Sequence, residues 1–146
     1  MPFKRILCGV DFSELSVRAF LAAKDLARQS GGALHVLHVI EANPTVAELL
    51  PPGGLSEMTL TTVEKARASM RTLIESSPPQ RGEEIRLSTE INEGNPSEEI
   101  LRQARDWKAD LIAIGGKGAA TLDDVIFGDP SDTVVRKAPC SVLVVR

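Results

Sequence analysis

The sequence predicts a doubly wound α/β domain, with a five-stranded parallel sheet of strand order 3-2-1-4-5 and helices on both faces, as in nucleotide-binding folds. Strand and helix patterns alternate along the chain, which favours parallel strands joined by right-handed helical crossovers. Strands one, two, four and five are near-continuous apolar runs, as expected when helices cover both faces of a sheet. A series of glycines directly follows the fourth run. We therefore expect a single domain over residues 1–146.

The five predicted strands are short runs separated by turn residues and helical patterns. The third run alternates in polarity, and its period of two indicates a strand. The predicted strands are Ile6–Val10, Leu34–Ile40, Ile85–Ile91, Leu111–Ile114 and Val142–Val145.

The first two helices are recognised by their caps and apolar periodicity. Ser13 is placed to cap the first helix, and Gly31 and Gly32 end it. The second helix is predicted over Met58–Ser76, and a pair of prolines follows it. The predicted buried face of the first helix comprises Val17, Phe20, Leu21 and Ala27.

The last two helices begin at proline-containing start signals. Asn95 is placed as the cap of the third helix, with Pro96 at the first helical position and Glu98 three residues after the cap. A short fourth helix is predicted over Pro130–Lys137. The predicted buried face of the third helix comprises Ile100, Leu101, Ala104 and Trp107.

Composition argues against several classes of function. The net charge of −3 at pH 7 gives no reason to expect nucleic acid or an anionic membrane as a partner. No apolar run approaches the roughly 20 residues of a membrane span, and the first residues enter a strand pattern without signal-peptide features. Cys8 and Cys140 lie in apolar strand surroundings, where buried thiols are expected. We therefore expect a cytoplasmic protein.

The glycines after strand four are expected to lie at a ligand-binding edge. Glycine lets the backbone approach a ligand closely and exposes amides to an anion. Doubly wound sheets bind ligands beyond the carboxyl ends of the strands, where the strand order reverses. Asp11 leaves strand one at that edge and Gly115 leaves strand four there. With the assumed strand order 3-2-1-4-5, strands one and four are neighbours, so the two residues are expected to converge on one crevice.

Several stretches of the chain match a known pattern in order. These are KRILCGVDFSELS, LHVLHVI, GNPSEEI and a glycine loop that ends in APCSVLVVR. Over almost its whole length the chain resembles the universal stress protein family, whose loop pattern is G-x2-G-x9-G-[ST]. Gly115, Gly118 and Gly128 fit this spacing.

The resemblance implies an adenine-nucleotide pocket of the kind found in members that bind ATP; other members do not bind ATP. It places Asp11 beside the nucleoside and the backbone of Val39 against the adenine. The glycine loop and the following helix start would surround the ribose and phosphates. The nucleotide-binding residues implied in this way are Asp11, Val39, Gly115, Gly118, Gly128, Asp129 and Ser131. Members commonly form homodimers through the last strand, here Ser141–Val145.

Asp129 departs from the family pattern, which has Ser or Thr at that position. Its carboxylate can accept the free amides at the start of the fourth helix, and a phosphate would need the same amides. From Gly115 to Asp132 the chain has one cation, Lys117, and four acids, namely Asp123, Asp124, Asp129 and Asp132. A phosphate within about 4 Å of one carboxylate meets repulsion of about 1–4 kcal/mol per charge pair. Our hypothesis is that Asp129 occupies its own anion site, so that ATP binding is weakened or depends on Mg²⁺ held by the aspartates.

Catalysis has little support in the sequence. Neither a G-x4-G-K-[ST] phosphate loop nor a G-x-S-x-G nucleophile motif occurs, and no acid/base pair stands out, so no catalytic residue is predicted. His35 and His38 are an odd number of residues apart and should face opposite sides of strand two, which disfavours a shared metal. No metal site is predicted.

Three functions remain open at this point. The first is a small stress-response or regulatory protein that binds a nucleotide or a protein partner. The second is a nucleotide-binding enzyme with slow ATP hydrolysis or nucleotidyl chemistry. The third is a purely protein-interacting dimer with a vestigial pocket. A homodimer is expected because the apolar last strand would otherwise leave an open sheet edge.

Overall fold

The computed structural model describes residues 3–41, 54–77, 85–116 and 130–146, with the backbone alone for 54–61 and 130. The strands are β1 (Arg5–Gly9), β2 (Ala33–Glu41), β3 (Arg86–Gly94), β4 (Leu111–Gly115) and β5 (Ser141–Val145). The helices are α1 (Glu14–Ser30), α2 (Gly54–Glu75), α3 (Pro96–Asp106) and α4 (Pro130–Lys137).

The five strands form one parallel sheet in the order β3-β2-β1-β4-β5, which confirms the predicted fold class. The strand order reverses between β1 and β4, the two central neighbours. The carboxyl ends of β1 and β4 therefore meet at the edge where doubly wound sheets bind ligands.

The core lies in two layers, one on each face of the sheet. One layer packs α1 and α2 against the sheet, and Phe20 is its largest fully buried side chain. The other packs α3 and α4 against the opposite face, where Ile112 and Val134 are fully buried. Helices on both faces explain why the central strands are apolar throughout.

The predicted N-caps of α1 and α3 are confirmed. The Ser13 hydroxyl accepts from the Ser16 amide, and the Asn95 side chain accepts from the Glu98 amide with Pro96 in the first turn. Gly31 ends α1 in the left-handed conformation, with φ of 67°, which glycine adopts without strain.

Some sequence expectations were wrong in detail. Leu21 is 45% exposed, because the buried stripe of α1 runs through Ser16, Phe20 and Ala27 and Leu21 falls beside it. Trp107 lies just beyond the end of α3, although its ring still packs against the core layer. Cys8 is buried as expected, whereas Cys140 is only partly buried, next to the edge strand β5.

Several element boundaries also differ from the expectation, most of all those of α2 and β3. α2 begins at Gly54 instead of Met58, and no proline lies between these residues to prevent the earlier start. β3 continues past Ile91 because it pairs with β2 as far as Gly94, which lies opposite Glu41. β2 is therefore paired with β3 over nine residues but with β1 over only five. The stretch of β2 that lies beyond β1 positions the site described next.

Candidate functional site

The crevice at the carboxyl edge of the sheet begins where β1 ends before β2 does. Gly9 is the last residue of β1 in register with β2, opposite Leu37. One further backbone bond follows, from the Val10 amide to the Leu37 carbonyl at 2.9 Å. β2 then continues to Glu41 while paired only with β3.

Val39 presents its backbone to the gap left by β1. The Leu37 carbonyl bonds to β1, and backbone groups alternate sides along a strand, so the amide and carbonyl of Val39 point the same way. The next rung would join the Val39 amide to the Val10 carbonyl and the Phe12 amide to the Val39 carbonyl. Neither bond is present among the described residues. Val39 therefore offers one donor and one acceptor at the crevice.

Asp11 lies in the turn that carries the chain from β1 into α1. Its amide donates to the Ser16 hydroxyl at 3.3 Å, and its carboxylate accepts from the Ser13 amide at 2.9 Å. Partial burial alone would raise the pKa of this carboxyl, but the hydrogen bonds from Ser13 and Ser16 outweigh it and the pKa is lowered. Asp11 is therefore a fixed anion at neutral pH.

Phe12, which follows Asp11 in the chain, packs against His38. Phe12 has a φ of 66°, a left-handed backbone that is uncommon for a bulky residue and turns the chain away from β2. Its ring lies against the imidazole of His38, with ring centroids 4.5 Å apart. The His38 Nδ1 bonds to the Val10 carbonyl oxygen at 2.7 Å.

Gly115 ends β4 directly against the first turn of α1. A Cβ at this position would lie 2.7 Å from the Leu15 carbonyl carbon and 2.8 Å from the Ser16 nitrogen, both backbone atoms. Glycine is thus required here for close packing of strand on helix. Because Ser16 also bonds to Asp11, the ends of β1 and β4 are held together through the start of α1.

The structure brings three of the implied binding residues to one sheet edge: Asp11, Val39 and Gly115. Ser131 lies in the first turn of α4 and is partly buried. Gly118, Gly128 and Asp129 lie outside the described residues.

The sequence did not reveal the contribution of Phe12 or His38. A left-handed Phe has no sequence signature, since its conformation depends on contacts with the rest of the fold. For His38, the available signal is its place in the sequence directly before Val39.

The two histidines of β2 face opposite sides of the sheet, as predicted. His35 bonds to the hydroxyl of Ser88 at 2.7 Å and to the side chain of Gln103 in α3 at 3.1 Å. His38 contacts Val10 and Phe12, toward the α1 layer. Within the described part of the chain, no group of three or more His, Cys, Asp or Glu side chains is arranged to hold a metal ion.

Comparison with known proteins agrees with this architecture. The sequence model described as "Universal stress protein family" matches residues 2–146. The chain belongs to this family. A universal stress protein of Thermus aquaticus is 35% identical over 145 residues, covering 99% of each chain. Universal stress protein UspA from Lactobacillus plantarum has a similar structure, with a TM-score of 0.76, 28% identity and coverage of 100% of this chain and 99% of that one.

One universal stress protein with the same fold was solved in complex with cAMP. It has a TM-score of 0.64 and 21% identity to this chain, over 100% of this chain and 98% of that one. At this identity the likeness establishes the fold alone.

None of the helices in the described ranges of the chain combines the length and the apolar composition that a bilayer-spanning segment needs.

Proposed function

We propose that this chain is a small cytoplasmic stress-response regulator that binds an adenine nucleotide in the crevice between the ends of β1 and β4. The observation that carries the proposal is the open backbone of Val39. Its donor and acceptor match the edge of an adenine base, which presents an amino donor next to a ring-nitrogen acceptor. A buried backbone pair without partners costs free energy, and a ligand that supplies them recovers it.

Asp11 suits the nucleoside part of such a ligand. A carboxylate accepts hydrogen bonds from ribose hydroxyls, and the lowered pKa of Asp11 keeps it ionised at neutral pH. Its bond from the Ser13 amide holds the carboxylate at the crevice before any ligand arrives. The same negative charge disfavours a phosphate close by, so the phosphates are expected on the side of Gly115.

The phosphate side of the site is proposed to be altered by Asp129. In the family pattern a Ser or Thr follows the third glycine, whereas this chain places a carboxylate immediately before α4. The Asp129 carboxylate competes with a phosphate for the amides of that turn. We expect ATP to bind weakly, or only with Mg²⁺, and AMP or adenosine to lose less affinity because they carry less charge.

Calorimetry with adenosine, AMP, cAMP and ATP, each with and without Mg²⁺, tests both parts of the proposal. We expect Asp129→Ser to increase ATP affinity about tenfold, corresponding to about 1.4 kcal/mol for removal of one close repulsive charge. Asp132→Ser is the matched control, because it removes the same charge one turn further along and should change affinity less.

The outcomes separate the site from its alteration. Sub-micromolar binding of ATP by the natural chain would contradict the altered phosphate site while supporting nucleotide binding. Absence of binding by every adenosine compound, with none released from the purified protein on denaturation, would contradict nucleotide binding. That result would favour a protein-interacting dimer. A melting temperature that stays unchanged when nucleotide is added would agree with it, since a ligand that binds only the native state must raise the melting temperature.

We further propose that the chain forms a homodimer through β5. β5 lies at one edge of the sheet, and its residues Val142 to Val145 are only partly buried although all are apolar. Pairing with a second copy would cover this edge. Sedimentation at micromolar concentration should show a dimer, and Val144→Lys should convert it to monomer. A natural chain that is monomeric under these conditions would contradict the interface.

A further inference from the structure

We propose that His38 is a positioning residue that keeps the Val39 backbone open for a ligand by occupying the carbonyl of Val10. This inference deepens the proposed nucleotide site and rests on it for its functional meaning. The decisive juxtaposition is the 2.7 Å contact between the His38 Nδ1 and the Val10 carbonyl oxygen. His38 directly precedes Val39, whose amide has no backbone partner within the described part of the chain.

The Val10 carbonyl is the group with which Val39 would otherwise pair. In the parallel register of β1 and β2, the Val10 amide bonds to the Leu37 carbonyl, so the following bond would run from the Val39 amide to the Val10 carbonyl. His38 provides a donor to the same oxygen from its side chain. The Val39 amide makes no bond to this oxygen among the described residues, and the sheet ladder stops one bond earlier than the length of β2 allows.

Phe12 blocks the companion bond of that rung. Regular extension of β1 would place the Phe12 amide against the Val39 carbonyl. The left-handed φ of 66° at Phe12, together with the bond from the Asp11 amide to the Ser16 hydroxyl, turns the chain into α1 instead. The Phe12 ring then packs on His38 and holds the imidazole in place. Both backbone groups of Val39 are thereby left to the crevice.

The contact fixes the tautomer of the imidazole. A carbonyl oxygen only accepts, so Nδ1 must carry the proton in the neutral ring and Nε2 must be the bare nitrogen. A histidine that served only to fill space would not require the proton to be on Nδ1. It gives a spectroscopic signature that is independent of any ligand.

The first experiment uses the natural chain without ligand. Nitrogen-15 spectra of the imidazole should show the His38 proton on Nδ1. Amide hydrogen exchange followed by NMR should show Val39 exchanging at least about tenfold faster than Leu37, whose backbone remains in the ladder. A proton on Nε2 alone, or a Val39 amide as protected as that of Leu37, would overturn the inference.

Substitution then tests the cause. In His38→Leu the Val10 carbonyl is released, and we expect the Val39 amide to bond to it and to exchange about tenfold more slowly, relative to Leu37. His38→Asn should retain open exchange at Val39, because its side-chain amide nitrogen is as many bonds from Cα as Nδ1. Failure of Asn to restore the natural behaviour would count against hydrogen bonding as the cause.

His35→Leu is the matched control on the same strand. It removes a histidine with two side-chain hydrogen bonds on the opposite face of the sheet. We expect it to lower overall stability and to leave the exchange of Val39 relative to Leu37 unchanged. An equal change at Val39 would show that His38 acts through general stability alone.

Ligand titration completes the test and separates this inference from the proposed function. We expect His38→Leu to weaken AMP binding about tenfold and His38→Asn to weaken it less than about threefold, at equal folded fraction. If the natural chain binds no adenosine compound, the proposed function fails, while tautomer and exchange still decide the role of His38. If AMP binds the natural chain and His38→Leu equally, the positioning role fails and the site remains.

Discussion

The two edges of the sheet are built in opposite ways. At the amino edge, the Asp110 carboxylate accepts from the amides of Lys4 and Arg5 at 2.8 and 3.0 Å, and the Ala33 amide bonds to the Lys4 carbonyl. At the carboxyl edge, β2 extends beyond β1, and Val39 has no backbone partner on that side within the described ranges. One edge closes its backbone groups and the other leaves a pair open.

The difference comes from unequal strand lengths. β1 has five residues and β2 has nine, and they start in register at the amino edge. Their mismatch therefore accumulates entirely at the carboxyl edge. Because unpaired backbone groups cost free energy when they are removed from water, such a mismatch is expected where a ligand can supply the missing partners.

The largest expected effect on stability comes from adding a side chain at Gly115, where β4 lies against α1. Gly115→Ala should lower the free energy of unfolding by about 3 kcal/mol, because its methyl group would meet backbone atoms of Leu15 and Ser16 that cannot rotate away. Urea denaturation followed by circular dichroism measures the loss. We also expect weaker nucleotide binding, since Ser16 holds Asp11.

Gly116→Ala is the control for this substitution. Its Cβ would lie 3.2 Å from side-chain atoms of Val144 and Arg146 and 3.3 Å from the backbone oxygen of Val145, so each of these contacts is less close than those at Gly115. A loss of about 1 kcal/mol or less is expected. Equal losses from the two substitutions would show that the contact with α1 is not what requires glycine at position 115.

The closed framework was more predictable from sequence than the open edge. Apolar runs and cap residues such as Ser13 and Asn95 act locally, so they predicted the strands and the helix starts. The strand order, and with it the convergence of Asp11 and Gly115, was assumed from the fold class, and the structure confirms that order. The exposed side of α1 was missed at Leu21, because an apolar residue beside the buried stripe looks the same in sequence as one within it.

The unequal ends of β1 and β2 were beyond sequence reasoning. Both strands are apolar up to Val10 and Ile40, and periodicity alone gives no reason for β1 to stop pairing. Two tertiary contacts lie at the point where the pairing stops: the Asp11 amide donates to the Ser16 hydroxyl, and the His38 Nδ1 bonds to the Val10 carbonyl. Gly115 was expected to admit a ligand, and the structure adds a packing requirement that glycine spacing does not reveal.

An intermediate effect is expected from the aspartates that serve the two edges. Asp110→Ala removes the acceptor of two backbone amides and should cost about 2 kcal/mol of unfolding free energy. Asp11→Ala removes the acceptor of one, from Ser13, and should cost about 1 kcal/mol. Urea midpoints of the two variants measure the difference. A larger loss from Asp11 than from Asp110 would reverse the assignment of stability to the amino edge.

The smallest effect is expected in the acid dependence of stability, and it belongs to the carboxyl edge. Burial raises the pKa of Asp11, but bonds from Ser13 and Ser16 lower it below the ordinary value of 3.8 in the folded chain. A carboxyl with a lowered folded pKa binds fewer protons when folded than when unfolded. Its contribution is therefore present above pH 3.8 and is lost as the pH falls through the folded pKa.

Asp11→Asn should remove this contribution, so its unfolding midpoint should fall less steeply than that of the natural chain between pH 5 and pH 2.5, a window of about one to two units around the ordinary pKa. Glu99, whose pKa is also lowered through its bond with Arg102, lies on α3 and titrates alike in both proteins. The difference between the two curves thus isolates Asp11. Parallel curves over this range would show that its hydrogen bonds form equally well to the neutral acid, so that the charge of Asp11 adds nothing to stability at the open edge.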